Sequence, residues 1–259
     1  MLKFDVITLF PQLFSEHLNS LPFKKAIEKN IAEYNLWDLK KFSTNNYGSV
    51  DDKTYGGGVG MVLMIEPIFK ALSEIYGRKT LEKRIKGSSG VFLKENQRII
   101  ALSPRGDRFN QKKAEELSRC AQISLICGRY EGLDARIEES IATDVISIGD
   151  FVLSGGEIPA LAIMESVTRL MPGVLEKEEA AKIESFSTRQ TERTAEEFYN
   201  LSDNLKQVKE DNSKYIEYPQ YTRPEDFMGL KVPQVLLSGN HAEIEKWRKE
   251  NSKKFEKLK

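Results

Sequence analysis

Cysteine and histidine are scarce in this sequence of 259 residues, which contains two of each. The cysteines, Cys120 and Cys127, are too few to build a framework of disulfide bonds. Together with His17 and His241, they also lack the closely spaced ligand pairs of a structural zinc site. The sequence therefore predicts a protein that folds without cross-links in a reducing compartment, the cytoplasm.

Long hydrophobic runs and an excess of charge of one sign are also absent. No apolar stretch approaches the ~20 residues that a transmembrane helix needs, so no membrane partner is expected. The N-terminal segment MLKFDVITLF is interrupted by Asp5 and is followed by no small-residue cleavage site, so it predicts a first strand and not a signal peptide. Lys and Arg number 39, as do Asp and Glu, so global charge neither favours nor excludes an RNA partner.

The sequence does contain an alternation of strand-like and helix-like segments. Apolar runs predict strands at residues 3–10, 98–103 and 122–128, an alternating pattern predicts a strand at 31–39, and residues 144–153 predict a strand followed by a turn. Helical patterns occur at 11–30, where Pro22 interrupts the pattern, and at 67–77, 134–142 and 156–171. Strands that alternate with helices predict an α/β fold, in which helices cover both faces of a parallel sheet.

Other segments lack such a pattern. Residues 45–61 are glycine-rich and polar and predict a loop, and residues 78–97 predict an exposed connection. Residues 176–216 are charged and predict a linker, in which a capping-box spacing and an apolar repeat favour a short amphipathic helix at 194–210. Residues 241–259 carry an apolar stripe among basic residues and predict a second helical region.

Three of the predicted strands end in glycine-bearing turns, LSPRG (102–106), CGRYEG (127–132) and IGDFVLSGG (148–156). Such turns could line one crevice at the edge of a parallel sheet, although a tight turn is the better explanation for any one of the glycines taken alone. None of them fits the phosphate-binding patterns of nucleotide sites, and YGGGVG (55–60) lacks the lysine that would follow. The residues alone therefore indicate an α/β protein with a crevice for a small molecule.

Six motifs occur together and in order. They are VDDKTYGGGVGM (50–61), LSPRG (102–106), CGRYEGLDARI (127–137), SIGDFVLSGGEIPAL (147–161), VTRLMPGVL (167–175) and YTRPEDFMGLKVPQVLLSGNHAEIEKWR (221–248). With them the chain resembles the TrmD-type bacterial tRNA (guanine-N1)-methyltransferases. The resemblance implies an α/β domain of the SPOUT type at 1–175, with a parallel sheet and a deep trefoil knot. It further implies a linker at 176–216 and a small helical, RNA-facing domain at 217–259.

The resemblance implies that the methyl donor is S-adenosylmethionine, held in the knot by backbone groups of three loops. The implied cofactor residues are Leu102, Ser103, Pro104, Gly128, Tyr130, Glu131, Ile148, Gly149, Phe151, Leu153, Gly155, Gly156 and Pro159. Apolar side chains among them suit an adenine ring, and the glycines allow the backbone to approach it closely. Magnesium is implied as well, with Glu131 or Glu217 as its suspected ligand.

Methylation of guanine N1 needs two protein groups, because N1 is a poor nucleophile until its proton leaves. One is a general base within hydrogen-bond reach of N1, and the other is a cation near O6. The resemblance implies Arg169 as the cation, although sequence alone favours an ion pair with Glu165 one helical turn earlier. It implies Glu184 as the base, where family members usually present aspartate, so that the extra methylene must be absorbed by a small backbone shift.

The implied RNA partner is a tRNA anticodon stem-loop, and the implied assembly is a homodimer whose active site combines both chains. Asp51, Ser185 and Arg223 are implied at the RNA, whereas Arg129 fits an RNA-binding or a structural role. The chain departs from the family pattern in a longer linker, in a shorter C-terminal tail and at position 217. Two alternatives stay open: a cofactor-binding RNA chaperone without catalysis, and a knotted methyltransferase for another RNA.

Overall fold

A five-stranded sheet lies at the centre of the N-terminal part of the chain. The structure is a computed structural model that describes residues 1–43, 48–57, 60–86, 96–176, 185–186, 214–216 and 218–255. The chain divides into two compact units, Met1–Glu176 and Lys177–Lys259, and the sheet belongs to the first of them.

The sheet confirms the predicted parallel α/β arrangement. Its strands, in spatial order, are β2 (Ala32–Asp38), β1 (Leu2–Thr8), β6 (Gln122–Cys127), β5 (Gln97–Arg108) and β7 (Asp144–Ser147). All neighbouring strands run parallel. Strands β1 and β6 are buried along most of their length, which explains why they appear in the sequence as continuous apolar runs.

Short helices surround the sheet. They are α1 (Ser15–Leu18), α2 (Phe23–Glu28), α3 (Ile65–Tyr76), α4 (Arg78–Ile85), α5 (Gln111–Leu117) and α6 (Glu157–Thr168), with 3₁₀ turns at Pro11–Phe14 and Leu39–Phe42 and a π-helical turn at Ile137–Ile141. Within the described ranges, no helix has both the length and the apolar character needed to cross a membrane.

Helices cover both faces of the sheet, as predicted. Ile7 of β1 belongs to an apolar cluster that contains Ile68 and Leu72 of α3. The next residue, Thr8, points to the opposite face, because neighbouring residues of a strand alternate in direction. Its hydroxyl contacts Glu157 at the start of α6, and α6 packs against β1 and β6 on that face. The sheet is therefore enclosed between α3 on one side and α6 on the other.

The expected exposed connection at 78–97 is wrong at its start, where the structure forms α4. Leu81 is buried, and the Arg84 guanidinium donates to the carbonyls of Ile141 and Ala142 at 2.6 and 2.5 Å. These contacts join residues nearly sixty positions apart, so the local composition could not indicate them. One buried leucine and one arginine that caps a neighbouring turn are enough to keep this polar segment helical.

The expected loop at 45–61 also contains regular structure. Its β3 strand (Asp51–Lys53) pairs antiparallel with β4 (Met61–Leu63). Leu63 is fully buried, and its neighbour Met64 donates a backbone hydrogen bond to the carbonyl of Val50 at 2.8 Å. The described glycines between these two strands, Gly56, Gly57 and Gly60, therefore lie in the connection of a β-hairpin.

The second unit contains short strands and helices. Strand β8 (Lys214–Ile216) pairs antiparallel with β11 (Lys253–Phe255), and β9 (Asp226–Phe227) pairs with β10 (Leu230–Lys231). The helices are α7 (Gln234–Leu237) and α8 (His241–Asn251), so the tail that was expected to be helical begins with a helix, and its last described residues form the strand β11. The amphipathic helix predicted at 194–210 lies outside the described residues.

Candidate functional site

A cavity of about 1080 Å³ lies at the carboxyl ends of β5, β6 and β7. In a parallel sheet this edge is where connecting segments converge and where ligands bind. Strand β5 reaches the cavity through a bulge, because its register with β7 shifts between Leu102 and Asp107. The segments after β6 and β7 form further walls, and the β3–β4 hairpin adds another.

Every residue predicted to contact the cofactor lines this cavity, with the exception of Gly149. The lining residues from that set are Leu102, Ser103, Pro104, Gly128, Tyr130, Glu131, Ile148, Phe151, Leu153, Gly155, Gly156 and Pro159. They meet because three adjacent strands end at one edge of the sheet. The structure thus brings the three predicted loops together, while their role in binding a cofactor stays a prediction.

Gly149 lies behind the wall of the cavity and not in it. Its N–H donates to the Ser147 hydroxyl at 3.3 Å, and that hydroxyl donates to the Gly149 carbonyl at 2.9 Å. The ring of Phe151 folds back over Gly149 so closely that a β-carbon at position 149 would overlap it. The absence of a side chain at Gly149 thus makes room for the Phe151 ring, while contact of Gly149 with a ligand stays a prediction.

Backbone hydrogen bonds tie the walls of the cavity to one another. The Gly156 N–H donates to the Gly128 carbonyl at 2.8 Å, and Arg129 forms an isolated antiparallel bridge with Gly155. The segment after β7 is therefore paired directly with the segment after β6. The Glu131 N–H donates to the first carbonyl of β4 at 2.9 Å, which attaches the same segment to the hairpin.

Tyr130 has an unusual backbone conformation at the centre of this arrangement. Its φ of 59° lies in the left-handed region, which costs a non-glycine residue roughly 1–2 kcal/mol. Arg129 and Glu131 hold it there through the bridge and the hydrogen bond to β4. Residues kept in such conformations concentrate at functional sites, and the Tyr130 side chain, 56% exposed, lines the cavity.

The charges in the wall of the cavity are unevenly balanced. Within the described part of the wall, each arginine is paired with a carboxylate. The pairs are Arg105 with Glu138 at 3.0 Å, Arg129 with Glu157 at 2.9 Å, and Arg136 with Asp134 at 2.6 Å. The other charged lining residues are Asp52, Lys53, Glu66 and Glu131. Three of these four residues carry a carboxylate and one carries a cation, so the wall favours a ligand with net positive charge.

The pKa is shifted from its usual value for two side chains, one in the wall of the cavity and one beneath it. The hydrogen bonds that Asp134 accepts from the Arg136 guanidinium lower the pKa of the Asp134 carboxyl, so this ion pair is fully charged at neutral pH. Burial raises the pKa of the Cys127 thiol well above its usual value. Cys127 is therefore a neutral, apolar residue beneath the loops and not a nucleophile.

Of the two predicted catalytic residues, the structure describes Arg169 but not Glu184. Arg169 follows the last turn of α6, where its N–H donates to the Glu165 carbonyl at 3.0 Å, so the two residues share a helical turn as expected. About 15 Å of helix separates Arg169 from Pro159, which lines the cavity at the other end of α6. Glu184, the predicted base, lies outside the described residues.

The residues predicted at the RNA lie in different parts of the chain. Asp51 begins β3 and is not in the cavity wall, although its neighbour Asp52 is. Arg223 is exposed and Ser185 is half-buried, and both belong to the second unit. Asp51 belongs to the first unit, and a common role of the three residues at the RNA stays a prediction.

Glu157 is a residue that the sequence did not single out. It is almost fully buried in the first turn of α6, where it pairs with Arg129. The only signal in the sequence was an acidic residue directly after two glycines and at the start of a helix, a position that suits a negative charge. The pairing gives Arg129 a structural contact, and a role of Arg129 at the RNA stays a prediction.

The described residues provide no group of three or more His, Cys, Asp or Glu side chains that could hold a metal ion. Glu131 lines the cavity without such neighbours, and Glu217 lies outside the described residues. The donor set on which the magnesium prediction relied is therefore not assembled in the described part of the chain.

Comparison with known proteins gives one consistent result. The family model described as tRNA (guanine-1)-methyltransferase TrmD matches residues 2–259. A tRNA (guanine-N(1)-)-methyltransferase of Bacillus pumilus is 43% identical over 98% of this chain and 88% of its own length. Proteins of the same name from Clostridioides difficile and Bacillus subtilis are 41% and 42% identical, over 97% of this chain and 92% and 87% of their own lengths.

Proposed function

The chain belongs to the tRNA (guanine-1)-methyltransferase TrmD family, and on that premise we propose that it methylates N1 of a tRNA guanosine. We propose S-adenosylmethionine as the methyl donor and guanosine 37, immediately 3′ of the anticodon, as the target. The observation that carries this proposal is the cavity where three loops, each predicted from its own motif, form one wall. We propose the cytoplasm, a reducing compartment, as its location.

The cavity suits S-adenosylmethionine in shape and in charge. Leu102, Ile148, Leu153 and Pro159 provide apolar walls for an adenine ring, while the adjacent backbone offers donors and acceptors. The surplus of carboxylates suits a ligand with a sulfonium and an ammonium group against a single carboxylate. Loss of the sulfonium charge on methyl transfer weakens this attraction, which favours release of the product.

The reaction requires a proton to leave N1 as the methyl group arrives. S-adenosylmethionine supplies an electrophilic methyl carbon. In our proposal the Glu184 carboxylate takes the N1 proton, and the Arg169 guanidinium donates hydrogen bonds to O6, where negative charge develops. The N1 electron pair forms the new bond to carbon, and the electrons of the broken sulfur–carbon bond stay on sulfur. Atoms and charges balance without a further reactant.

We propose that two chains share each active site. The helix length of about 15 Å that separates Arg169 from the cavity wall at Pro159 is longer than an arginine side chain, which favours a guanine presented to Arg169 by the cavity of a second chain. The start of α6 also exposes apolar side chains: Phe151, Val152 and Ile158 are 54%, 84% and 61% exposed. Apolar side chains exposed in one region are typical of a protein interface. These observations support a homodimer.

Two features of the resemblance stay predictions. Magnesium dependence has no assembled ligand group among the described residues, and no step of the proposed reaction passes through a metal. The deep trefoil knot is compatible with the parallel sheet, in which β5 lies between β6 and β7.

Replacing Gly156 with alanine is expected to weaken S-adenosylmethionine binding by at least about tenfold. The new β-carbon would lie 2.7 Å from the Cys127 Cα and 2.9 Å from the Gly128 nitrogen, so the two backbone segments must separate. Overpacking of this kind costs roughly 1–3 kcal/mol, and here the strain falls on the walls of the cavity. Isothermal titration calorimetry with S-adenosylmethionine measures the loss.

Gly128→Ala provides the graded comparison for that variant. Its β-carbon would approach the Leu102 carbonyl at 3.3 Å, a contact that a shift of a few tenths of an ångström relieves. We expect a smaller loss of affinity for this variant. Equal affinities for Gly156→Ala and the wild type would contradict the close approach of the two loops.

The proposed function is tested by methyl transfer to an unmodified tRNA transcript with guanosine at positions 36 and 37. We expect label from methyl-labelled S-adenosylmethionine to enter the tRNA, and a transcript with adenosine at position 37 to stay unlabelled. Cofactor binding measured in parallel separates the two classes of function. Binding of cofactor and tRNA without transfer would reject the enzyme and support an RNA chaperone.

A further inference from the structure

A buried ion pair joins the segments that follow β6 and β7. Arg129 Nε donates to Glu157 Oε2 at 2.9 Å, and Arg129 Nη1 donates to the Ser154 carbonyl at 3.3 Å. The Glu157 side chain is 2% exposed, whereas the Arg129 side chain is 21% exposed. A carboxylate buried to this extent is stable as an ion only when its oxygens are paired, so the contact with Arg129 is a strict requirement of this conformation.

The second oxygen of the Glu157 carboxylate is also paired. The Thr8 hydroxyl, at the end of β1, donates to Glu157 Oε1 at 2.8 Å and accepts from the Phe10 N–H at 3.0 Å. The Arg129 guanidinium lies 4.6 Å from the centre of the Phe10 ring, within the range of a cation–π interaction. Both members of the pair are thus held by the end of β1, which connects them to the central sheet.

The two glycines that precede Glu157 make room for the pair. A β-carbon at Gly155 would overlap the Arg129 guanidinium and the Glu157 carboxylate. One at Gly156 would overlap the backbone at Cys127. The motif Gly-Gly-Glu therefore has a physical reason apart from contact with a ligand: its glycines let two loops approach, and its glutamate holds them together.

Glu157 can influence a ligand only through the loops that it holds. Glu157 itself does not line the cavity, whereas both segments joined by the pair, 128–131 and 153–156, do. We propose that Arg129 and Glu157 are positioning residues, which hold these two segments at the separation that S-adenosylmethionine requires. This inference rests on the proposed function, because it concerns the proposed cofactor site.

The test is a double-mutant cycle on the full-length protein, with the Kd for S-adenosylmethionine as its measurement. We expect Glu157→Gln and Arg129→Gln each to raise this Kd by at least about tenfold. The double variant is expected to bind no more weakly than the weaker single variant, because both residues act through one contact. We expect the KM for tRNA, measured at saturating S-adenosylmethionine, to stay within about twofold of the wild-type value. A general loss of structure would instead change both the Kd for S-adenosylmethionine and the KM for tRNA.

Glu33→Gln is the matched control. It removes the same charge from an exposed ion pair with Lys3, in which the two atoms lie 3.1 Å apart on β1 and β2. We expect its Kd for S-adenosylmethionine to equal that of the wild type, since exposed pairs contribute little. Thermal unfolding identifies variants that fail to fold.

A milder pair of variants decides the outcome if Glu157→Gln does not fold. Thr8→Val removes the hydroxyl that binds Glu157 at nearly constant volume, and Thr8→Ser retains it. We expect the valine variant to raise the Kd and the serine variant to restore it. Equal Kd values for the two Thr8 variants would overturn the positioning role.

The remaining outcomes are equally decisive. A folded Glu157→Gln variant with the wild-type Kd would overturn the proposal, and weakening by Arg129→Gln alone would assign Arg129 to direct contact with the cofactor. The proposed function fails separately, if the wild type binds S-adenosylmethionine but transfers no methyl group to tRNA. In that case the Kd values of the variants still decide whether the pair positions the loops.

Discussion

Glu184→Gln is expected to reduce the rate constant for methyl transfer, measured in single-turnover experiments, by about 10²–10⁴-fold. Glutamine has nearly the same shape as glutamate but cannot accept the N1 proton. The affinity for S-adenosylmethionine is expected to stay at the wild-type value, because the proposed role of Glu184 is to contact the guanine and not the cofactor. A loss of rate at constant affinity is what removal of a general base produces.

Glu178→Gln is the control for that variant, since it neutralises another carboxylate six positions earlier in the chain. It is expected to retain the wild-type rate.

Glu184→Asp adds a second test. If the local backbone has adjusted to the longer side chain, the aspartate variant is slower than the wild type, even though aspartate is usual in the family. Full activity of Glu184→Gln would require another base.

Arg169→Gln is expected to have the second largest effect, a reduction of about 10²–10³-fold in the same rate constant. Glutamine can donate a hydrogen bond to O6 but carries no charge, so the charge that develops on O6 is poorly stabilised. Arg169→Lys is expected to recover only part of the rate, because the ammonium group cannot reproduce the planar geometry of the guanidinium. The Kd for S-adenosylmethionine is expected to stay unchanged in both variants.

Arg78→Gln is the matched control, because it removes an arginine from an exposed pair with Glu82 on α4.

A further experiment addresses the two-chain site. Mixed dimers of Arg169→Gln and Gly156→Ala chains are expected to exceed both parent variants in methyl transfer at low S-adenosylmethionine concentration, because one of their two sites combines the intact cavity of one chain with the intact Arg169 of the other. Mixtures that stay as inactive as the separate variants would contradict the shared site.

Much of the first unit could be predicted from the sequence. Strands that are buried on both faces leave continuous apolar runs, so β1, β5 and β6 were identifiable from composition alone. Helix α4 was not, because its stability depends on Leu81 and on the contact of Arg84 with a turn nearly sixty residues later. Local composition records the polarity of a segment but not the partners that hold it in place.

The candidate site, too, could be predicted from the sequence only in part. Each glycine turn was visible as a turn, and the parallel sheet suggested one crevice for all three, but only the resemblance connected that crevice with a cofactor. The pairing of Arg129 with Glu157 was invisible, since 28 positions separate the two residues and each had an ordinary alternative role. The position of Gly149 under the Phe151 ring was also invisible, because a glycine in a sequence motif does not show which side chain lies against it.

The most direct test is to map the methylated nucleotide after the purified protein reacts with S-adenosylmethionine and an unmodified tRNA transcript. Nuclease digestion followed by mass spectrometry identifies both the modified base and its position. We predict 1-methylguanosine at position 37 and at no other position. Methylation of a different nucleotide, or at a different atom of guanosine 37, would contradict the proposed reaction.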